Sequence, residues 1–559
     1  MRTDDPVLSE IVRNALTMVV EEAGIAAARS ASSPFVSAAA SIACCLFDDK
    51  ARLIAQTSGG LMHASALQVM LPEVLKDHPP ETLKDGDALL TNHTFRGGIH
   101  PTDVGLFRPI FHAGRPAFYC GTMMIVSDLG GTSAGGLPAT ATECFHEGLM
   151  IPPVKVYEAG ERNRSMASLI RANSRTPDRI MGDIDALVAG GNVAAARMGS
   201  LVAKYGYEKL SLIIEDLLDY AERLTRHGIS QIPDGVYRGS YEVEEDGVEE
   251  GRTFKVEATI TVEGDRFHLD CTGTSPQARG AINSSYSQSL SGAVFALRCY
   301  LDPTIPLNEG FYRPLSVNFP PGSLVNPQYP AACNLRLASV MAMVEAMYRA
   351  MGKAYPEKAV GACGLVGTIT GHGPSLDGKR TWSILDASFG IGGGRHGLDG
   401  VDGTPFILYA SSNYDRNIES YEWEFPILYK SYRLLPDSGG AGQWRGGCGL
   451  IKELEFLVEA QITMRGTDRY RKGPEGINGG KPGRPGAWIL NRGRPDERVL
   501  PPKLTNLRIK AGDTMTMIAA GGGGFGDPAK RDPAAVRRDV QEGYVSREAA
   551  RSEYGIEIA

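Results

Sequence analysis

The feature that most constrains this fold is a change of apolar period close to residue 228. Before it, apolar residues recur at helical spacing. Leu8, Ile11, Val12, Ala15, Leu16 and Val19 form one stripe, Leu169 to His227 is the most helical region, and Leu210–Leu224 is strongly amphipathic. After the turn signal Pro233–Asp234–Gly235 the chain alternates, apolar against polar, through Tyr237–Val243, Thr253–Val262 and Arg266–Cys271. Helical and alternating segments that are separated along the chain, not interleaved, imply an α+β fold. The expectation is a helix-rich N-terminal part with a small sheet over residues 1–229, carrying the candidate site. A β-rich, multi-strand part with a helical C-terminal tail then occupies residues 230–559.

Local signals fill in this outline. Asp5 and Asp532 read as helix N-caps, with Pro6 and Pro533 in the first helical positions, and Gly24 and Gly228 read as helix stops. Ile42–Phe47, Val104–Phe111 and Ala117–Val126 read as strands, and His63 to Leu75 as a helix. Further helices are expected at Ser289–Tyr300 and Ala338–Tyr355. Short strands follow, among them Trp382–Phe389, Leu450–Phe456 and Thr514–Ala519. Gly373 to Lys379 imitates a phosphate-binding loop but lacks the closing Ser or Thr, and Asp377–Gly378 is better read as a hairpin turn. The glycine runs Gly392–Gly394 and Gly521–Gly524 have no following helix and are expected to serve tight turns with positive φ.

Composition narrows the function classes. With 559 residues the chain is long enough for several structural units and a large core. A net charge of −7 favours neither a nucleic-acid backbone nor an anionic membrane surface. No run approaches the roughly 20 apolar residues of a membrane span, and MRTDDPVLSE lacks a signal core. Nine scattered cysteines without a CxxC pair argue against a disulfide framework or a thiolate zinc site and fit a reducing cytoplasm.

Polar side chains concentrate between Leu89 and Gly131, where Asn92, His93, Thr94, Arg96, His100 and Asp103 precede the strand at Val104. Only two residues separate His100 from Asp103, so an imidazole and a carboxylate can meet at the strand mouth. That pair can ligate a divalent metal, relay a proton, or simply hydrogen-bond in a turn. Asp128, in a Ser-Asp-Leu-Gly-Gly loop, and Glu147, beside His146, are the other candidate catalytic carboxylates. A surface helix start is an equal alternative for His146 and Glu147, since no second histidine completes a zinc helix.

The chain resembles the hydantoinase B/oxoprolinase family in GGIHPTDV (97–104), SDLGG (127–131), EGLMIPP (147–153), GDIDA (182–186), CTGTSPQARGAINS (271–284), LLPDSGGAGQWRGGCGL (434–450) and GGGGFGDPAKRDPAAVRRDVQEGYVS (521–546). The family includes subunits of N-methylhydantoinases, caprolactamase and acetone or acetophenone carboxylases, and the second half of 5-oxoprolinases. The resemblance implies a subunit of an ATP-dependent cyclic-amide hydrolase. A larger hydantoinase A-type subunit would bind ATP and phosphorylate a small-molecule substrate, and this chain would complete hydrolysis. A ketone carboxylase subunit or a catalytically silent partner are the alternatives.

The resemblance also implies a divalent metal (Zn, Mn or Mg), with His100 and Asp103 at two of its ligand positions. The other two hold Ser41 and Ile125, where the family has Asp and His. His93, in the same loop, is a possible substitute ligand.

Overall fold

The computed structural model describes residues 5–33, 42–365, 367–388, 390–403 and 417–558. Helix α1 (Pro6–Ser30) starts as expected: Asp5 Oδ1 accepts from the Leu8 amide at 2.9 Å, and Pro6 sits at the first position. It does not stop at Gly24. A Cβ there would make an ordinary contact with Thr57 Cγ2 at 3.4 Å, and the helix runs on to Ser30.

The N-terminal part is built on a seven-stranded antiparallel sheet: β1 (Ile42–Asp48), β2 (Leu53–Gln56), β3 (Ala88–Thr91), β4 (Asp103–His112), β5 (Arg115–Ile125), β6 (Val154–Glu158) and β7 (Glu161–Arg162). Their spatial order is β2-β1-β5-β4-β3-β6-β7. Helix α2 (Leu61–Asp77) covers one face through Leu67, Met70 and Leu71, which pack on Phe47, Phe107 and Met123. The other face is covered by α1 and, after the short α3 (Arg164–Ala172), by the long helices α4 (Pro177–Tyr205) and α5 (Tyr207–Ser230). Covered on both faces, β1 is buried at every residue, which is why it reads as an unbroken apolar run. By length and composition α4 could cross a membrane; here Ile180, Ile184, Leu187 and Ala194 are buried in the protein. Helix α5 runs past Gly228, where a Cβ would meet Leu301 Cδ2 at 3.1 Å. Here the glycine marks a close approach and not a helix end.

The period change falls where it was expected, between Ser230 and β8 (Gly235–Val243). That strand, β9 (Phe254–Glu263), β10 (Arg266–Asp270) and β11 (Leu315–Asn318) form a second sheet, in which only the β10–β11 pair is parallel. Helix α8 (Leu337–Ala354) packs on it, and α6 (Tyr286–Arg298) packs against α8 and α2, with the four-residue α7 (Glu309–Tyr312) between α6 and α8 in sequence.

Two more sheets share one core. The first has the order β13 (Thr381–Ser388), β12 (Gly367–Pro374), β16 (Ala460–Gly466), β19 (Lys503–Ile509). The second runs β14 (Ile427–Leu434), β15 (Leu450–Phe456), β20 (Thr514–Ile518), β17 (Ala487–Leu490), β18 (Arg498–Leu500). Between them lie Ile369, Trp382, Phe456, Ile462, Trp488 and Met515. The phosphate-loop imitation is the β12–β13 hairpin, with Pro374 opposite Thr381 and Gly378 at φ 68°. Helix α9 (Ile418–Glu424) leads into β14, and the tail forms α10 (Pro533–Gln541) and α11 (Arg547–Tyr554), with Asp532 capping through the Ala534 amide.

The glycine runs differ from expectation. None of Gly392–Gly394 or Gly521–Gly524 has positive φ. They belong to a layer of bare backbone stacked on bare backbone. The Gly394 amide donates to Gly523 O, Gly440 to Gly522 O, Gly522 to Gly447 O, and Gly447 to Gly392 O, all at 2.8–2.9 Å. A Cβ on Gly393 would run into Gly361 O, and one on Gly521 into Ser438 O. Glycine is required here because adjacent backbones leave no room for a side chain.

Candidate functional site

His100 lies in the turn before β4, and Asp103 is that strand's first residue; both are about 1% exposed. His100 Nε2 stands 2.9 Å from Asp103 Oδ2, so the two do meet at the strand mouth. On its other side, His100 Nδ1 lies 2.7 Å from Thr102 Oγ1. Two residues that sequence spacing missed complete the cluster. His63, near the start of α2, places Nε2 3.2 Å from Asp103 Oδ1, and Arg336 donates from Nη2 to Asp103 Oδ2 at 3.0 Å. Arg336 is held in turn by Gln288 Oε1 at 3.1 Å from its Nε.

The electrostatics follow from this packing. Burial, reinforced by Arg336 and opposed by Asp103, pushes the His100 imidazole down to about 4, so it is neutral near neutral pH. Burial alone would raise the Asp103 carboxyl, but His100, Arg336 and His63 outweigh it and hold the group well below the ordinary range. With His100 neutral and Asp103 ionised, the imidazole donates from Nε2 to the carboxylate and accepts at Nδ1 from the Thr102 hydroxyl.

Glu147 ends a 3-10 turn (Cys144–Glu147) and is fully buried, not at a surface helix start. Its Oε1 accepts from the amides of Cys333 and Asn334, both at 2.7 Å, and from Asn334 Nδ2 at 3.0 Å; Oε2 has no partner. Burial pushes its carboxyl up to about 7 against those hydrogen bonds. Asn334 joins the two carboxylate environments, since its carbonyl accepts from Arg336 Nη1 at 3.4 Å and from Arg465 Nη2 at 2.6 Å.

Because the folded state keeps a proton on Glu147 that the unfolded chain releases near 4.5, this group's contribution to stability falls as pH rises from about 4.5 through 7, against the rise that His100, held neutral in the fold, gives over the same range. Glu147→Gln should remove that contribution, so that between pH 4.5 and 7 the variant's stability rises relative to wild type by on the order of 3 kcal/mol. Denaturant midpoints measured across this range check it, and an unchanged slope in the variant would count against a near-neutral carboxyl.

Asp128 is not drawn into this cluster. Its carboxylate accepts from the amides of Gly130, Gly135 and Arg175 at 2.8–3.0 Å and pairs with Arg175 Nη1 at 3.1 Å. It thereby ties down the Gly130–Gly136 loop. His93 stacks edge-on against Phe95, and its buried Nδ1 has no partner; the side chains on the Asp103 carboxylate, among the described residues, are His63, His100 and Arg336.

The metal implied by the resemblance meets a poor donor set. Ile125 is the cross-strand neighbour of Asp103 and offers no donor atom. Ser41 lies outside the described residues. Both Asp103 oxygens are taken by protein donors, and no group of three or more His, Cys, Asp or Glu among the described residues is arranged to hold a metal ion. Beside Ile125 lies a cavity of about 50 Å³ whose lining includes Ser127, Arg179, Thr370, Ser383 and Tyr421. Its charged group, Arg179, is paired with Glu424 at 3.1 Å.

Residues 5–528 match the hydantoinase B/oxoprolinase family. This chain belongs to that family. A putative D-/L-hydantoinase B-type subunit from Pseudomonas sp. (strain NS671) is 29% identical over 99% of this chain and 95% of that protein. The crystal structure of ATP-dependent caprolactamase from Pseudomonas jessenii superposes with a TM-score of 0.91 at 28% identity, covering 100% of this chain and 97% of that one. A nucleotide-free acetone carboxylase shares the fold, with a TM-score of 0.88 at 20% identity over 100% of this chain and 80% of the other.

Proposed function

We propose that this hydantoinase B family chain is a subunit of an ATP-dependent cyclic-amide hydrolase. It would complete hydrolysis of an intermediate phosphorylated by a larger, hydantoinase A-type ATP-binding partner. The observation that carries this reading is the end-to-end likeness to ATP-dependent caprolactamase. The hairpin at Gly373–Lys379 supports the division of labour, because no helix N-terminus follows it to receive a phosphate.

Phosphorylating an amide oxygen turns a poor leaving group into a good one and opens the ring carbon to water. In this chain the groups able to handle the proton are Glu147, whose carboxyl titrates near neutrality, and neutral His100 oriented by Asp103 and Thr102.

A second reading, a catalytically silent subunit, is favoured by Ile125 and by Arg336 on Asp103. Co-purification with the ATP-binding partner, followed by ATPase and ring-opening assays on lactams, hydantoins and ketones, separates the two. Hydrolysis is expected only from the pair and only with substrate present. ATP turnover by the isolated chain would sink the two-subunit scheme, and full activity of complexes carrying Glu147→Gln or His100→Gln would leave the silent reading.

A further inference from the structure

We propose that a guanidinium takes the place of a divalent metal at the His100–Asp103 centre, so that this chain works there without a bound ion. The inference goes beyond the proposed function, since it holds for a hydrolytic or a silent subunit alike. A carboxylate offers a metal its lone pairs, and here each Asp103 oxygen already accepts from nitrogen donors: Oδ1 from His63, Oδ2 from His100 and Arg336. Unlike an imidazole, Arg336 cannot give up its charge to make way for a cation. It is also fixed in place, about 5% exposed, with Nε on Gln288 and Nη1 on the Asn334 carbonyl. Displacing it would strand a buried cation, a cost of several kcal/mol that an incoming ion would have to overcome with two protein ligands.

The donor set points the same way. Across the ladder from Asp103 stands Ile125, a side chain with no lone pair. His63 approaches through Nε2, the same atom that contacts Asp103, so it does not present a free nitrogen beside the carboxylate. The arrangement is a closed ring of hydrogen bonds around one carboxylate.

The test is equilibrium dialysis of the intact protein against zinc, manganese or magnesium chloride, with elemental analysis and anomalous diffraction from zinc-soaked crystals to place any ion. No ion between His100 and Asp103 is expected, and an ion found elsewhere also supports the proposal. An ordered, fully occupied zinc between those two residues overturns it. Arg336→Met keeps the length of the side chain without its charge and should raise uptake at this position by about tenfold or more, equivalent to about 1.4 kcal/mol. No rise in a folded Arg336→Met protein, judged by its circular dichroism, would overturn the claim that the guanidinium is what keeps the ion out.

Discussion

Asp103→Ala should destabilise the protein by about 3–5 kcal/mol, because it leaves the Arg336 guanidinium buried with no carboxylate. His63 and His100 lose their shared acceptor in the same step. The diagnostic is the double variant. Replacing Arg336 with Met as well removes the stranded charge, so Asp103→Ala/Arg336→Met should be more stable than Asp103→Ala alone. Chemical denaturation of the four proteins at neutral pH closes the cycle. A loss below about 1 kcal/mol in the single variant would mean that water reaches Arg336 and that the centre is not the closed ring described.

The other large effect is expected in the glycine layer. Gly521→Ala drives a methyl group into the carbonyl of Ser438, a backbone atom that cannot rotate away. The expected loss exceeds about 4 kcal/mol, the range reserved for disrupted cores, and little folded protein should be recovered. Gly199→Ala is the matched control. It lies exposed inside α4 with nothing within 4 Å of its added methyl, and should be stabilising by about 0.8–1 kcal/mol through helix propensity. Thermal melts and soluble yield of the two variants compare them directly. Equal behaviour would show that the layer can part to admit a side chain.

Much of the fold was legible because its signals are local. Asp5–Pro6 and Asp532–Pro533 start helices through their own side chains, and the alternation in β8 and β9 reports one buried face directly. What could not be read depends on distant neighbours. Gly24 and Gly228 look like helix stops, yet both helices run on through them, and at Gly228 the reason is Leu301 placed against it. Strands β2, β3, β6 and β7 span two to five residues, too short for a period to declare itself. The site divides the same way. His100 and Asp103 share a turn and were found by spacing, whereas Arg336 reaches Asp103 from 233 positions away, and His63 read only as part of a helical run. Asp128 and Glu147 stood out as carboxylates, but sequence could not show that one fastens a loop while the other is sealed beside Asn334. The family motifs supplied a metal set that local chemistry alone would not have put together.

The stacked glycine backbones also bear on the order in which the chain can be finished during synthesis. Gly521–Gly524 lie between strands of backbone drawn from Gly392–Gly394 and from Gly440–Gly447, and each of those leans on them for hydrogen bonds. A ribosome emits the chain from its N-terminus, so the first sheet and its helices can close while the last third is still being made. The amides of Gly394 and Gly440 and the carbonyl of Gly447 must wait, open to water, until residues near 521 emerge. Such contacts between distant positions form slowly, which makes the interval the one in which the nascent chain is most exposed to mispairing.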